Sequence, residues 1–235
     1  MNAGRIPDVY LVVGKHRWNR RVFDEVIRQY PGQWHYVESS NQLTSNAVQT
    51  LNPCYIFFLH WSQKIPDEIV NLYECVCFHM TDAPYGRGGS PLQNLIIRGW
   101  RSTKLTALRM VHELDAGPVY LKEDLSLEGN AEEIYIRATY LAAQMIKRIV
   151  QECPQPAPQT GEAFIFKRRT PAQSAIPEVN SLQALHDFIR MLDAEGYPNA
   201  FLIHKGFRYE FRRAVFYDGR VSADVTITLL EDSSK

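Results

Sequence analysis

The hexapeptide Cys54 to Leu59 (CYIFFL) has no polar position on either face of an extended chain. A strand of that kind needs cover on both sides, which puts it inside a sheet flanked by helices rather than at a solvated edge. Asp8 to Val13 (DVYLVV) and Cys75 to Phe78 (CVCF) have the same character, and helical spacing separates the runs. After Gly14 ends the first run, Val22, Val26 and Ile27 recur between charges in a helix from Asn19 on. Pro66, Asp67 and Glu68 open a short helix, with the carboxylates at the positive end of its dipole. Leu92 to about Arg98 reads as a helix stopped by Gly99, and Lys104 to Val111 and Val119 to Leu121 read as strands. Ala131 to Val150 is the longest helix, with Ile134, Ala138, Leu141, Ala142, Met145, Ile146 and Ile149 in one stripe. Strands alternating with helices predict an α/β fold around a Rossmann-like, mostly parallel sheet.

The chain has 235 residues, room for one large domain with an appendage. Pro154 to Pro158 (PQPAP) marks the change, an extended connector that cannot be helical. The expected domains are therefore residues 1–155, carrying the sheet, and 156–235, a small mixed α+β lobe. In that lobe Ala163 to Phe166 reads as a strand and Leu182 to Leu192 as a helix. Phe201 to Tyr217 alternates aromatics around a hairpin turn at Lys205-Gly206. The polar end, Glu231 to Lys235, is expected to fray.

With 26 basic and 26 acidic residues, no overall positive field points to nucleic acid or to an anionic membrane, so a small-molecule substrate is expected. Cys54, Cys75, Cys77 and Cys153 lack CxxC spacing, and no metal is expected. No signal peptide or membrane-length apolar run is visible, which predicts a cytoplasmic protein. Gly14 is followed by Lys15, His16, Arg17 and Trp18, so neither a dinucleotide nor a Walker phosphate loop is present.

Two loops concentrate the chemistry. His79 leaves a buried strand into a stretch holding Pro84, Arg87, Gly88, Gly89 and Pro91, and Glu113 to Val119 (ELDAGPV) follows another strand. Ligands of open α/β sheets bind at the carboxyl ends of the strands, where two such loops can face each other across a crevice. Taken alone, His79 is more often a packed histidine and Asp115 a turn former. Together they offer an imidazole and a carboxylate. Cys77, two residues before His79, shares its strand face, which also allows a thiol nucleophile reading.

The spacing of His79, Thr81, Pro84, Arg87 and Gly88, followed by Leu114 to Val119 (LDAGPV), resembles the formyltransferase family over roughly residues 8 to 150. That resemblance implies the formyltransferase fold and 10-formyltetrahydrofolate as formyl donor. It implies catalytic roles for His79, Asp115 and Cys77, where Cys77 stands in place of the family asparagine and a thiol is the weaker donor. It also implies a folate site built from His60, Trp61 and Ser62, from Thr81, Asp82, Ala83 and Pro84, and from Val111, His112, Glu113 and Leu114.

Members of the family formylate tRNA, glycinamide ribonucleotide or nucleotide-linked amino sugars. The neutral charge balance and short C-terminal region argue against tRNA. The loop around PYGRGGSPLQN and the aromatic C-terminal stretch resemble the sugar N-formyltransferases, pseudaminic-acid types in particular. The expected acceptor is thus a nucleotide-linked 4-amino-4,6-dideoxy sugar for surface glycans, with a UDP-linked N-acetyl-altrosamine as the named candidate. Lys15, Arg17, Arg87, Gly88, Lys167, Arg168, Arg169 and Tyr197 are expected to bind it, since a pyrophosphate calls for cations and backbone donors. A homodimer is expected from the resemblance. The alternatives are a hydrolase releasing formate from formyltetrahydrofolate and a non-catalytic folate-binding relative.

Overall fold

The computed structural model describes residues 8–230, so the expected fraying of Glu231 to Lys235 lies outside the described residues. Contacts divide the chain into two compact units. One comprises residues up to Gly88, Lys104–Leu125 and Ile136–Ile165, and the other Gly89–Thr103, Ser126–Tyr135 and the chain from Phe166 on.

The first unit is built on β1 (Val9–Val13), β2 (Gln33–Val37), β3 (Tyr55–Phe58), β4 (Cys75–His79) and, beyond the short strand β5 (Tyr85–Gly88), on β6 (Ser102–Arg109) and β7 (Val119–Ser126). Their order is β2-β1-β3-β4-β6-β7. β1 runs parallel to β2 and β3, and β3 parallel to β4, while β6 is antiparallel to β4 with Thr106 opposite His79. The expected α/β class and mostly parallel sheet are what the structure has.

The three apolar runs are the adjacent central strands. On one face Leu11, Val13, Ile56, Phe58 and Cys75 pack with Leu43, Val48, Ile65 and Ile69 in a core cluster served by α2 (Ser45–Leu51) and α3 (Asp67–Leu72). On the other face Tyr10, Val12, Phe57 and Val76 are equally buried. The period-two alternation of strand side chains separates these two sets.

β2 and α2 are absent from the sequence expectation. β2 is an edge strand of alternating polar and aromatic residues, none of them fully buried, and α2 buries only Val48, so neither carries a strong periodic signal.

A polar clamp sits where β1 and β3 end. Asn19 is fully buried in α1 (Arg17–Glu25); its Nδ2 donates to the Leu59 carbonyl at 2.9 Å, and its Oδ1 meets Thr139 Oγ1 at 3.2 Å and His60 Nδ1 at 3.3 Å. A Cβ on Gly14 would lie 2.9 Å from Asn19 Nδ2, so a glycine is needed for the close approach.

In the second unit, β9 (Ala200–His204), β10 (Phe207–Tyr217) and β11 (Arg220–Leu229) form an antiparallel sheet in the order β11-β10-β9. The β9–β10 hairpin turns at Lys205 and Gly206, both at positive φ, as the sequence predicts. β11 goes unread in the sequence, although Val221, Ala223, Val225, Ile227 and Leu229 alternate there. α6 (Leu182–Arg190) buries an Asp187–Arg190 ion pair at 2.6 Å, and Arg190 also donates to the Leu127 and Gly129 carbonyls. Both carbonyls are served by Arg190 Nη1, while its buried Nη2 has no partner among the described residues; such added bonds offset part of the cost of burying the pair.

Desolvation, aided by the charge of His16, pushes the His60 imidazole down to about 3. The native state therefore leaves His60 neutral where the unfolded chain takes up a proton, and stability falls as pH drops from about 6.5 toward 3. In urea titrations across that window, His60→Gln is expected to remove about one proton from the acid dependence of unfolding. An unchanged slope would contradict the clamp.

Candidate active site

β4 delivers His79 buried, 7% exposed, at the carboxyl end of the sheet. Its Nε2 lies 2.7 Å from the Gly86 carbonyl oxygen and its Nδ1 3.5 Å from Asp115 Oδ2. A carbonyl only accepts, so Nε2 carries the proton of the first bond, and the carboxylate opposite Nδ1 is suited to receive a second. The loop between His79 and Gly86 is tied down along its length. Thr106 Oγ1 donates to the Thr81 carbonyl at 2.6 Å, and Lys122 reaches both Asp82 and the Ala83 carbonyl at 2.5 Å. The Ala83–Pro84 peptide is cis.

Asp115 occupies the tight connection between β6 and β7. Arg109 N–H donates to the Pro118 carbonyl at 2.9 Å, which closes the turn, and any Cβ on Gly117 would fall 1.8 Å from the Arg109 carbonyl oxygen. No side chain fits there. Asp115 itself has φ +54°, a left-handed conformation that aspartate tolerates better than most residues. Its Oδ2 accepts the Gly88 N–H at 3.0 Å, so the carboxylate that faces His79 is fixed by a backbone donor of the other loop.

Cys77 lies on the same strand face as Cys75 and His79 and packs against the core cluster beside Trp61 and Met110. Burial first, then the charge of Asp115, push its thiol far above the ordinary range. A thiol so disfavoured as thiolate gives no support to the nucleophile reading, because the thiolate is the reactive form.

The expected folate residues fall into distinct settings. Trp61 is half-buried with its Nε1 unpaired, and Thr81 is fully buried with its Oγ1 unpaired, among the described residues. Buried polar atoms without partners are uncommon and suit a ligand's donors and acceptors. Val111 and Leu114 are exposed apolar residues beside Asp115, and His112 and Glu113 are exposed with them. Ala83 and Pro84 are buried, Asp82 is paired with Lys122, and Ser62 is exposed. His60 is turned into the clamp with Asn19 and Thr139, so its ring serves the scaffold. Unsatisfied buried donors and exposed apolar side chains are the two kinds of group that a flat, heteroatom-rimmed ring of the pterin kind calls for.

Of the expected acceptor residues, Arg87 donates to Gln159 Oε1 at 3.0 Å and faces Glu113 at 3.4 Å, and Gly88 contributes the N–H on Asp115. Lys15 is exposed in the loop after β1, and Arg17 is exposed at the first position of α1. Lys167, Arg168, Arg169 and Tyr197 belong to the second unit. There Lys167 and Arg168 are exposed, and Arg169 lies over the Phe188 ring at 5.6 Å with burial lowering its basicity. Tyr197 is stacked on Tyr135 at 5.2 Å, a packing role rather than a free platform. Two participants escape the sequence reading: the Gly86 carbonyl, a backbone group, and Gln159, hidden in a proline-rich stretch. Among the described residues no cluster of three or more histidine, cysteine or acidic groups is arranged to hold a metal.

Residues 171–228 match the family model described as the methionyl-tRNA formyltransferase C-terminal domain. The solved structure of a methionyl-tRNA formyltransferase from Clostridium thermocellum is 41% identical with a TM-score of 0.90, covering 94% of this chain and 99% of that one. A curated methionyl-tRNA formyltransferase of Thermodesulfovibrio yellowstonii is 26% identical over 151 residues, covering 61% of this chain and 49% of its own length. The chain thus spans about half the length of curated relatives it matches. A 4-N formyltransferase from Francisella tularensis shares the fold at a TM-score of 0.67 and 18% identity, covering 97% of this chain and all of that one.

These findings overturn the expected nucleotide-linked amino sugar, its pseudaminic-acid and surface-glycan setting, and the exclusion of a nucleic-acid partner. The 4-N formyltransferase resembles this chain at 18% identity, whereas the 41% match is to a protein named for methionyl-tRNA. Two sequence arguments misled. Net charge is a sum over the whole chain and is blind to local clustering, and the C-terminal region taken as a short tail matches a C-terminal domain model. With 41% identity across nearly the whole of both chains, this protein belongs to the formyltransferase family, a class of folate-dependent one-carbon transferases.

Proposed function

We propose that this chain transfers the formyl group of 10-formyltetrahydrofolate to the amino group of methionyl-tRNA. The observation that carries the proposal is the His79–Asp115 pair, buried at the carboxyl end of β4 with its carboxylate fixed by the Gly88 N–H. 10-Formyltetrahydrofolate supplies, when bound, a formyl carbon attached to a nitrogen that can leave. The name of the Clostridium thermocellum protein supports the acceptor.

In this reading the chain's own groups do three things. His79 exchanges the Gly86 carbonyl for the formyl oxygen and donates its Nε2 proton where negative charge develops. Asp115 faces the opposite ring nitrogen, stabilises positive charge on the imidazole, and accepts the proton that the attacking amine loses; that proton passes to the folate nitrogen as its bond to the formyl carbon breaks, so neutral tetrahydrofolate leaves. Trp61, Thr81, Val111 and Leu114 hold the pterin, with the unpaired Trp61 Nε1 and Thr81 Oγ1 as donors. Residues 1–155, together with the stretch around Gln159 that packs on Asp115, are assigned this chemistry and the rest of 156–235 recognition of the acceptor, with the exposed Lys167 and Arg168 toward backbone phosphates, the contacts that position a nucleic acid. A cytoplasmic setting belongs to the same proposal; among the described residues no helix is long and apolar enough to cross a membrane.

The test incubates purified protein with 10-formyltetrahydrofolate and methionyl-tRNA and scores formylmethionine by mass. Formylated product is expected. Formate release that ignores the tRNA, or no turnover, would overturn the assignment. His79→Ala and Asp115→Asn are expected to lower kcat by about 10³-fold while tetrahydrofolate still binds, the scale of losing a principal electrostatic or acid–base group.

Cys77 gives a separate outcome. Its thiol is neither ionised nor a strong donor, so Cys77→Ala is expected to keep turnover within a few-fold. Cys77→Asn restores the family's amide and is expected to raise kcat by about tenfold or more. Abolition of turnover in Cys77→Ala would reinstate a direct role for the sulfur.

A further inference from the structure

The stretch after α5 (Ala131–Glu152) returns to the site instead of spacing two lobes. Ala157 and Val119 exchange both backbone hydrogen bonds, at 2.7 and 2.9 Å, which pins the connector to the start of β7. Two residues later Gln159 is half-buried, and its carboxamide is used at both ends. Nε2 donates to the Asp115 carbonyl at 2.8 Å and to the Gly117 carbonyl at 2.7 Å, while Oε1 accepts from Arg87 Nε at 3.0 Å.

These contacts close a ring around the catalytic carboxylate. From Asp115 Oδ2 it passes to the Gly88 N–H, through the chain to Arg87, across to Gln159, and back to the Asp115 carbonyl. The Asp115 backbone is left-handed, a conformation that persists only where surrounding contacts over-determine it. Gly117 lies so close to the Arg109 carbonyl that no side chain fits there. The Gln159 carboxamide grips the carbonyls of Asp115 and Gly117, the residues on either side of Ala116, and so sets the direction in which the Asp115 carboxylate leaves the turn.

We infer that Gln159 is a positioning residue for formyl transfer, acting through Asp115 on His79 by holding the left-handed turn and joining it to the Arg87–Gly88 loop. Arg87 is thereby a partner of the same device, its Nε committed to Gln159. The inference rests on the formyl-transfer reading and adds a residue to it. Nothing in the composition of PQPAPQTG distinguishes Gln159 from a solvated linker residue; its role comes from where the Ala157 bridge delivers it.

Two variants test it in the whole chain. Gln159→Met keeps the length and removes both donors and the acceptor. Gln159→Glu keeps the acceptor toward Arg87 and sets a carboxylate against two carbonyls. Both are expected to lower kcat by 10- to 100-fold with KM for 10-formyltetrahydrofolate changed less than threefold, as small misplacement of a catalytic group does. The activity of Gln159→Glu relative to the native protein is expected to rise as pH falls, because the protonated carboxyl regains one donor for the carbonyls. A role limited to stability would give no such pH-dependent recovery. Native kcat in either variant, or a ratio for Gln159→Glu that stays flat with pH, would overturn the inference. Absence of turnover in the native protein would instead refute the formyl-transfer reading, a distinguishable result.

Discussion

The site depends on one carboxylate held where a chain does not readily put it. Asp115 sits in a left-handed turn, accepts a backbone N–H from Gly88, and faces the imidazole of His79. Each of those partners comes from a different segment, so the geometry exists only if β4, β5 and the β6–β7 connection are in register. The antiparallel pairing of β4 with β6 supplies that register by setting Thr106 opposite His79, and the Thr106 hydroxyl in turn holds the Thr81 carbonyl.

The sheet that makes this possible is fixed by burial on both faces. Central strands with apolar residues on both faces cannot slip by one residue without exposing or misplacing a full row of side chains. Where β1 and β3 end, the buried Asn19 satisfies the Leu59 carbonyl and orders His60 and Thr139. The imidazole of His60, at a strand end as His79 is, is thereby held among scaffold groups, whereas His79 faces the Asp115 carboxylate. Their environments differ more than their sequence neighbourhoods suggest: one faces an amide and a hydroxyl, the other a carbonyl and a carboxylate.

Much of the fold is legible in the residues because it rests on periodic burial. The central strands, α5 and the Lys205-Gly206 hairpin follow from apolar runs, a helical stripe and a turn pair. β2 and α2 are obscured because their burial is slight, and β11 because its alternating apolar residues are mostly exposed. At the site, His79 and Asp115 are legible as loop residues at strand ends. The Gly86 carbonyl is not, since every residue carries one, and neither is Gln159, whose stretch has the composition of a spacer. The acceptor was misread for a different reason: total charge does not report how cations are distributed, and Lys167 and Arg168 are exposed within a neutral chain.

In the proposed reaction His79, bonded to the Gly86 carbonyl, turns its Nε2 proton to the formyl oxygen while Asp115 stays fixed behind it. A crystal structure with a non-transferable 10-formyltetrahydrofolate analogue tests this most directly. The account predicts the formyl oxygen within hydrogen-bonding distance of His79 Nε2, the pterin edge on Thr81 and the Val111 to Leu114 segment, and the Asp115–Gly88 bond intact. An analogue bound elsewhere, or His79 still donating to the Gly86 carbonyl with the formyl group out of its reach, would contradict it.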